Sequence, residues 1–251
     1  MDNKPLTPDE IVLMREACKL ASLTLIHIAY QIQPGITTQQ LDEIARDFVT
    51  ARGGVGATLN YKGFPKSICT SINGVICHGV PDGTILKDGD IINLDTAVLY
   101  KGFYGDTSGT YPVGEHGKRE MDIINAAEEA MMAGIKAIQP HGTTGDIGFA
   151  INKSATRNGF WVVKEIGGHG VGRAFHEHPH VPSFGKKGRG DILVPWTCIT
   201  VEPMLNETAA PIVETPIPNS QHFVYSTSDG SLSAQFEHTV LITDNGWEIL
   251  T

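Results

Sequence analysis

The chain has 251 residues, 41% of them hydrophobic and 19% charged, with a formal net charge of −9. That length is enough for a sizeable core, the acidity argues against a nucleic-acid-binding surface, which would need a basic stripe, and no run approaches the roughly 18 apolar residues of a membrane span. Cys18, Cys69, Cys77 and Cys198 show neither CxxC nor compact disulfide spacing, and "MDNKPLTPDE" has no basic start before an apolar stretch; free thiols, no signal peptide and a cytoplasmic location are expected.

"TPDE" at 7–10 is a capping box, with Thr7 as N-cap, Pro8 at N1 and Glu10 at N3. It opens a helix carrying Ile11, Met14, Ala17, Leu20 and Leu25, which runs towards the Pro34-Gly35 break. A second helix begins after Thr37, places Leu41, Ile44 and Phe48 at helical spacing, and stops at Gly53-Gly54. β-rich segments follow at 67–78, 90–99 and 103–113. A helix around 118–138, a break at Pro140 and a helix from about 144 to 157 come next. The remaining β-rich segments lie at roughly 160–166, 197–204, 221–226 and 233–243.

This order of elements is a repeat. At a constant offset of 106, Ile32, Gln33, Pro34, Thr37, Thr38 and Gly53 meet the identical residues Ile138, Gln139, Pro140, Thr143, Thr144 and Gly159. A gapless match at that distance implies two related halves, not a short-period solenoid. The expectation is a single catalytic domain over 1–251 built from a duplication, approximately 1–115 and 116–251.

Each half carries carboxylates inside apolar, β-leaning runs: Asp95 in "INLDTAV" and Asp106 in "GDTSGT", then Glu202 in "CITVEPML" and Glu237 in "SAQFEHTVLIT". Glu202 falls within one residue of the place that the offset assigns to a counterpart of Asp95. An ionised carboxylate out of water costs several kcal/mol or more unless a cation or donors receive it. "TAVLYKGFYG" between Asp95 and Asp106 reads as a hairpin. A Tyr100-Lys101 turn puts the two acids directly opposite, and a Lys101-Gly102 turn makes them diagonal neighbours. Both registers keep them on one face. Like charges so placed call for a cation between them.

Hard divalent cations favour carboxylate oxygens, and an imidazole shifts the preference towards transition metals. His169 is the best histidine, because Gly167, Gly168, Gly170 and Gly172 around it permit close backbone approach. Four acids and one histidine make five ligands, suited to two metals sharing a water. His176, His178 and His180 alternate as in a strand; His176 is assigned a non-ligand catalytic role, and the other two a peripheral one. His78, like His176, ends an apolar stretch.

"YKGFPKSICTSINGVICHGVPD", "INLDTAV", "GFYGDTS", "GGHGVGRAFHEHP", "VEPM" and "SLSAQFEHTV" together strongly resemble the type I methionine aminopeptidases, from the first helix to the C-terminus. The resemblance implies an α+β pita-bread fold: two pseudo-symmetric halves, a curved antiparallel sheet carrying the site, and helices on the outer face. It implies a dinuclear site of Asp95, Asp106, His169, Glu202 and Glu237, with Asp106 and Glu237 bridging two divalent ions drawn from cobalt, manganese, iron or zinc. The implied reaction removes the initiator methionine from nascent polypeptides, before a small second residue, by attack of a dimetal-bridged hydroxide. In it Glu202 relays the proton, His176 donates to the oxyanion, and His78 holds the peptide amide. Tyr61, Phe64, Cys69 and Phe175 match the family's methionine socket. The partners implied are N-terminal peptides, with transient ribosome association, no nucleic acid and no membrane, and the chain is expected to be a monomer.

Two departures bear on the pocket rim. Counting back from Glu237, Phe223 stands where many relatives carry tryptophan, and it is taken as a substrate-binding residue. The proline-rich "TAAPIVETPIPNSQH" also lengthens the segment between Glu202 and Glu237, although the long insertion of the type II enzymes is missing there. Two other readings compete: a pita-bread peptidase that cleaves before proline, and a non-enzymatic pita-bread binding module. The presence of all five candidate ligands opposes the second.

Overall fold

The computed structural model describes residues 3–251. Helix α1 spans Pro8–Ala29 and α2 spans Thr38–Thr50, each opened by a full capping box, Thr7 with Glu10 and Thr37 with Gln40. Helix α3 covers Lys118–Lys136 and α4 covers Thr144–Arg157. At their N-termini the carboxylate of Glu120 accepts from the Gly117 amide, and that of Asp146 from the Thr143 amide, each at 2.9 Å. The four orphan amides of a helix start explain why these side chains recur at N3.

After α1 and α2 come β1 (Val55–Gly56), β2 (Cys69–Ile72), β3 (Val75–Cys77), β4 (Ile91–Tyr100) and β5 (Phe103–Pro112). After α4 come β6 (Trp161–Val162), β7 (Gly167–Val171), β8 (Glu177–Pro182), β9 (Cys198–Val201) and β10 (Met204–Asn206). The last strands are β11 (Ile212–Pro216), β12 (Phe223–Thr227), β13 (Ser233–Gln235), β14 (Glu237–Thr243) and β15 (Gly246–Ile249). The main sheet is antiparallel in the order β1-β4-β5-β14-β9-β7-β8, with β2 added to β4 and β15 to β14. Strands from both ends of the sequence therefore meet at the β5–β14 seam.

The helices cover one side of this sheet. Leu25, Ile28 and Leu41 pack on Ile92 and Leu94, Leu20 and Val49 on Val98, and Ile123, Met131 and Ile151 on Ile199 and Val240. Because Ile92, Leu94 and Val98 of β4 face the helices, Asn93, Asp95 and Ala97 face the other way. Gly105 of β5 lies so close to α1 that a Cβ there would come within 2.6 Å of the Ala17 carbonyl. Burial of the helix faces thus decides which side of the sheet holds the acids.

Of the two hairpin registers, the structure adopts the diagonal one: Tyr100 pairs with Phe103, and Lys101-Gly102 form the turn. Both turn residues have positive φ, 49° and 87°, the conformation that matches the twist of a two-residue hairpin. Two further points go beyond the sequence reading. The glycine-rich run around His169 forms a hairpin of β7 and β8, and the proline-rich insertion forms β11, which pairs with β12 and through it with β3. Among the described residues no helix is long and apolar enough to cross a membrane.

One charged contact ties the fold together at the start of α1. The Glu10 carboxylate accepts from the Thr7 amide and from Nε and Nη2 of Arg173, beyond the end of β7. The Arg173 guanidinium is the main cause that lowers the Glu10 carboxyl to about 2. The group is ionised throughout the working range, as a paired N3 carboxylate requires.

Candidate metal centre and its cleft

Asp95 on β4 is opposite Ser108 on β5, and Ser108 is opposite Glu237 on β14. These positions make one row across three strands, and Asp106 sits two residues along from Ser108 on the same face. Asp106 and Glu237 are 4% and 2% exposed, which removes solvation as the explanation for their charge. Glu202 follows the last residue of β9; its Oε1 accepts from Thr200 Oγ1 at 2.7 Å and its Oε2 from Gln235 Nε2 at 3.3 Å.

His169 enters from β7. A Cβ on Gly168 would lie 2.4 Å from the Thr200 carbonyl, and one on Gly170 would lie 2.4 Å from the His178 carbonyl. The flanking glycines therefore let β7 close on its neighbours and bring the imidazole over the acids. Nδ1 donates to the Gly170 carbonyl at 2.9 Å, which leaves Nε2 as the unprotonated nitrogen of the neutral ring. That Nε2 stands 3.7 Å from Asp106 Oδ2 and 3.5 Å from Glu202 Oε1. One ligand atom each from Asp106, His169 and Glu237 lies within 4.8 Å of the others, and Asp95 lines the same cleft.

The electrostatics of this cluster are those of a cation site. Burial, then the charge of Glu202, raises Asp95 to about 7; burial raises Glu202 to about 7 against the hydrogen bond from Thr200. Asp106 and Glu237 are pushed well above the usual carboxylate range by burial and by the neighbouring acids. Burial lowers His169 to about 4, so it offers a lone pair and no positive charge. Glu237 Oε1 is buried with no hydrogen-bond partner. An orphaned oxygen, a free imidazole nitrogen and mutually repelling acids are what oxygen-and-nitrogen coordination of a divalent ion would satisfy. The residues fit such an ion.

A pH test follows from Asp95 and Glu202. Their folded values of about 7 lie above the ordinary 3.8 and 4.5, so between those limits the folded chain binds more protons than the unfolded one. Stability of metal-free protein therefore falls as pH rises from about 4 to about 7 through these groups. Bound cations replace the protons and reverse the sign. Thermal melts at pH 5 and pH 8 are expected to rank in opposite orders for chelator-treated and metal-loaded protein. The same order in both would remove these carboxylates from ion binding.

Beside the cluster is an open-mouthed cleft of about 210 Å³. Tyr61, Phe64, Cys69 and Phe175 all line it, with His78 and His176. The Tyr61 ring stacks on His176 at 5.2 Å and tilts against Phe175 at 4.9 Å. Burial raises the Cys69 thiol well above its ordinary value, so it packs as a neutral, apolar group. His78 is held at φ 57°, and its Nδ1 donates to the Phe223 carbonyl at 3.2 Å, which leaves Nε2 for the cleft. His178 and His180 are exposed, and His178 faces Asp191 at 3.2 Å across the surface.

Phe223 is displaced from its expected place. Its side chain does not line the cleft, where the neighbouring His222 stands instead. The inserted segment explains this. Ile217 is buried with Phe64 and Cys69, and the Gln221 amide donates to the Lys62 carbonyl at 2.9 Å. The turn thus wraps over the chain at Tyr61–Gly63 and delivers His222 to the wall. Thr58 and Ile166 also line the cleft without having been marked by any motif.

Metallopeptidase family M24 matches residues 12–244. A methionine aminopeptidase of Rickettsia prowazekii is 43% identical over 98% of this chain and 93% of its own length. Methionine aminopeptidase A of Synechocystis is 45% identical over 96% of this chain and 94% of its own. The crystal structure of methionine aminopeptidase from Rickettsia prowazekii superposes with a TM-score of 0.95 at 42% identity, covering 99% of both chains.

Proposed function

The chain belongs to metallopeptidase family M24, with the pita-bread fold of its methionine aminopeptidase neighbours, and from that membership we propose that it removes N-terminal methionine from peptides and nascent polypeptides. The observation that carries this reading is the buried row of Asp95, Asp106 and Glu237 closed by the free Nε2 of His169 and by Glu202. Asp95, Asp106, His169, Glu202 and Glu237 would hold two divalent ions. Bound ions of this kind polarise a carbonyl and lower the pKa of water towards neutrality.

The protein's own groups supply the rest. Glu202, fixed by Thr200 and Gln235, takes the proton of the attacking water and carries it to the leaving amine. The imidazole of His176 donates towards the oxyanion as it develops. The Nε2 of His78, unprotonated because Nδ1 is committed to Phe223, accepts from the peptide N–H next to the scissile bond. Tyr61, Phe64, Cys69 and Phe175 offer the apolar, aromatic surface that a thioether packs against. Crowding between His78 and His176 favours a small second residue.

We further infer that the domain arose by duplication. In support, α2 and α4 are preceded by the equivalent bridges Thr37 with Ile85 and Thr143 with Ile192. Four buried cysteines, all unpaired, agree with a reducing cytosol.

Chelator-stripped protein reloaded with each of iron, manganese, cobalt and zinc is expected to release methionine from Met-Ala-type peptides with at least one of them, and the stripped protein to release none. Reloaded protein that leaves every such peptide intact would refute the proposal.

A further inference from the structure

Asp42 is a buried acid, 1% exposed, that has no part in the mechanism above. It lies on α2 beside Leu41, among the residues the helix buries. A carboxylate in that position needs donors, and both come from one stretch of chain. Its Oδ1 accepts from the Ser67 amide at 2.7 Å and from the Ile68 amide at 3.2 Å. Ser67 and Ile68 are buried as well, so no water stands ready to replace the carboxylate. Burial pushes the Asp42 carboxyl up, and these two hydrogen bonds draw it back down.

The two amides end the segment 57–68, which joins β1 to β2 and carries Thr58, Tyr61 and Phe64 into the cleft; Cys69 follows at the start of β2. The segment has little regular structure of its own beyond one short turn at Tyr61–Gly63. Thr58 Oγ1 donates to the Lys66 carbonyl at 3.0 Å, and the Asn60 amide to the Phe64 carbonyl at 2.8 Å. Its hold on α2 is completed by the Lys66 ammonium, which donates to Gln39 Oε1. The second half of the chain does without such an anchor. At the offset of 106, Gly148 on α4 stands where Asp42 stands on α2. There the backbone itself packs down: a Cβ on Gly148 would lie 2.5 Å from the Phe184 carbonyl oxygen and 2.6 Å from that of Pro182. A carboxylate at this place is therefore no requirement of the helix pair. What sets the first half apart is the cleft-lining segment that it must hold.

We propose that Asp42 is a positioning residue for the side-chain socket: by holding the Ser67 and Ile68 amides on α2, it fixes Tyr61, Phe64 and Cys69 where they grip the methionine side chain. The inference rests on the methionine-excision reading. A socket selects by contact with walls that stay in place, so a wall that drifts weakens substrate binding before it touches the chemistry. Asp42 is not among the residues that line the cleft. Its loss therefore acts through the segment 57–68, on KM more than on kcat, and leaves the metal ligands as they were. Removal of the carboxylate orphans two buried amides at once, whereas an asparagine oxygen at the same point still accepts from both.

The test measures KM and kcat for Met-Ala-Ser, with bound metal counted on the same preparations. Asp42→Ala is expected to raise KM roughly tenfold, to change kcat much less, and to keep the wild-type metal content. Asp42→Asn is expected to restore most of the wild-type KM. Should the alanine variant not fold, Asp42→Ser takes its place, because its shorter hydroxyl reaches at most one of the two amides. Ile151→Val loosens the core under α4 away from the segment and is expected to leave KM unchanged, which separates anchoring from general loss of stability. Amide hydrogen exchange is expected to speed up across 57–68 in the alanine or serine variant and not in Ile151→Val. A wild-type KM in the variant that lacks the carboxylate overturns the proposal. So does loss of the ions in that variant, or a failure of asparagine to rescue KM. Wild-type protein that cleaves no such peptide refutes the methionine-excision reading itself, and this inference with it.

Discussion

Glu237→Gln is expected to strip the protein of its divalent ions and to lower turnover by at least about 100-fold, while leaving the metal-free fold nearly as stable as before. The two halves of that expectation have one cause. Glu237 is 2% exposed and is held well above the usual carboxylate range by burial and by Asp106, Glu202 and Asp95. In the metal-free protein burial and the neighbouring acids therefore favour its protonated form, and glutamine imitates that neutral form in size and polarity. An amide cannot release a proton to become an anionic ligand, so the variant fails only when a cation is offered. Because Glu237 lies in line with Asp95 across Ser108 and within ligand reach of Asp106 and His169, both ions are expected to weaken together. Metal analysis after dialysis reads occupancy, and melting of chelator-treated protein reads the fold. Unchanged stoichiometry would take Glu237 out of the centre. A metal-free melting temperature far below wild type would make its role structural instead.

How far this centre could be read in the sequence varied with the kind of order involved. Asp95 and Asp106 were legible because a carboxylate in an apolar β-leaning run has no cheap solution except a partner. Their shared face followed from strand alternation alone, since both hairpin registers preserve it. The register itself was not legible. It depends on Lys101 adopting positive φ beside Gly102, and a lysine gives no sign of doing so. The hairpin around His169 was obscured for a related reason. Glycine-rich runs have low strand propensity, yet here the glycines are what allow β7 to approach the Thr200 and His178 carbonyls.

His222 was missed and Phe223 chosen in its place because cleft membership there is set by an irregular turn. Ile217 is anchored under Phe64 and Cys69 while the Gln221 amide bonds to Lys62, and no periodic pattern records a docking of that kind. The motif-rich strands could be placed from the chain itself. The inserted segment could be placed only from what it packs against.

The same distinction separates ligands from groups that act on substrate, and it makes His176 the sharpest test of mechanism. His176→Ala is expected to retain both ions and to lose roughly 100- to 1,000-fold in kcat, with a much smaller change in KM. Its ring lies 4.1 Å from that of His169 and stacks on Tyr61, so it borders the centre without belonging to the Asp106–His169–Glu237 group. Desolvation in the cleft wall, then His169, Lys62, His78 and His222, hold it well below the ordinary imidazole value. A neutral ring presents an N–H donor, and a donor aimed at an oxygen that gains charge only in the transition state affects kcat in preference to binding. His176→Asn, which keeps an N–H of similar reach, is expected to fall between alanine and wild type. Loss of the ions in His176→Ala would reassign the residue as a ligand. A variant with full turnover would leave oxyanion stabilisation to the rest of the centre.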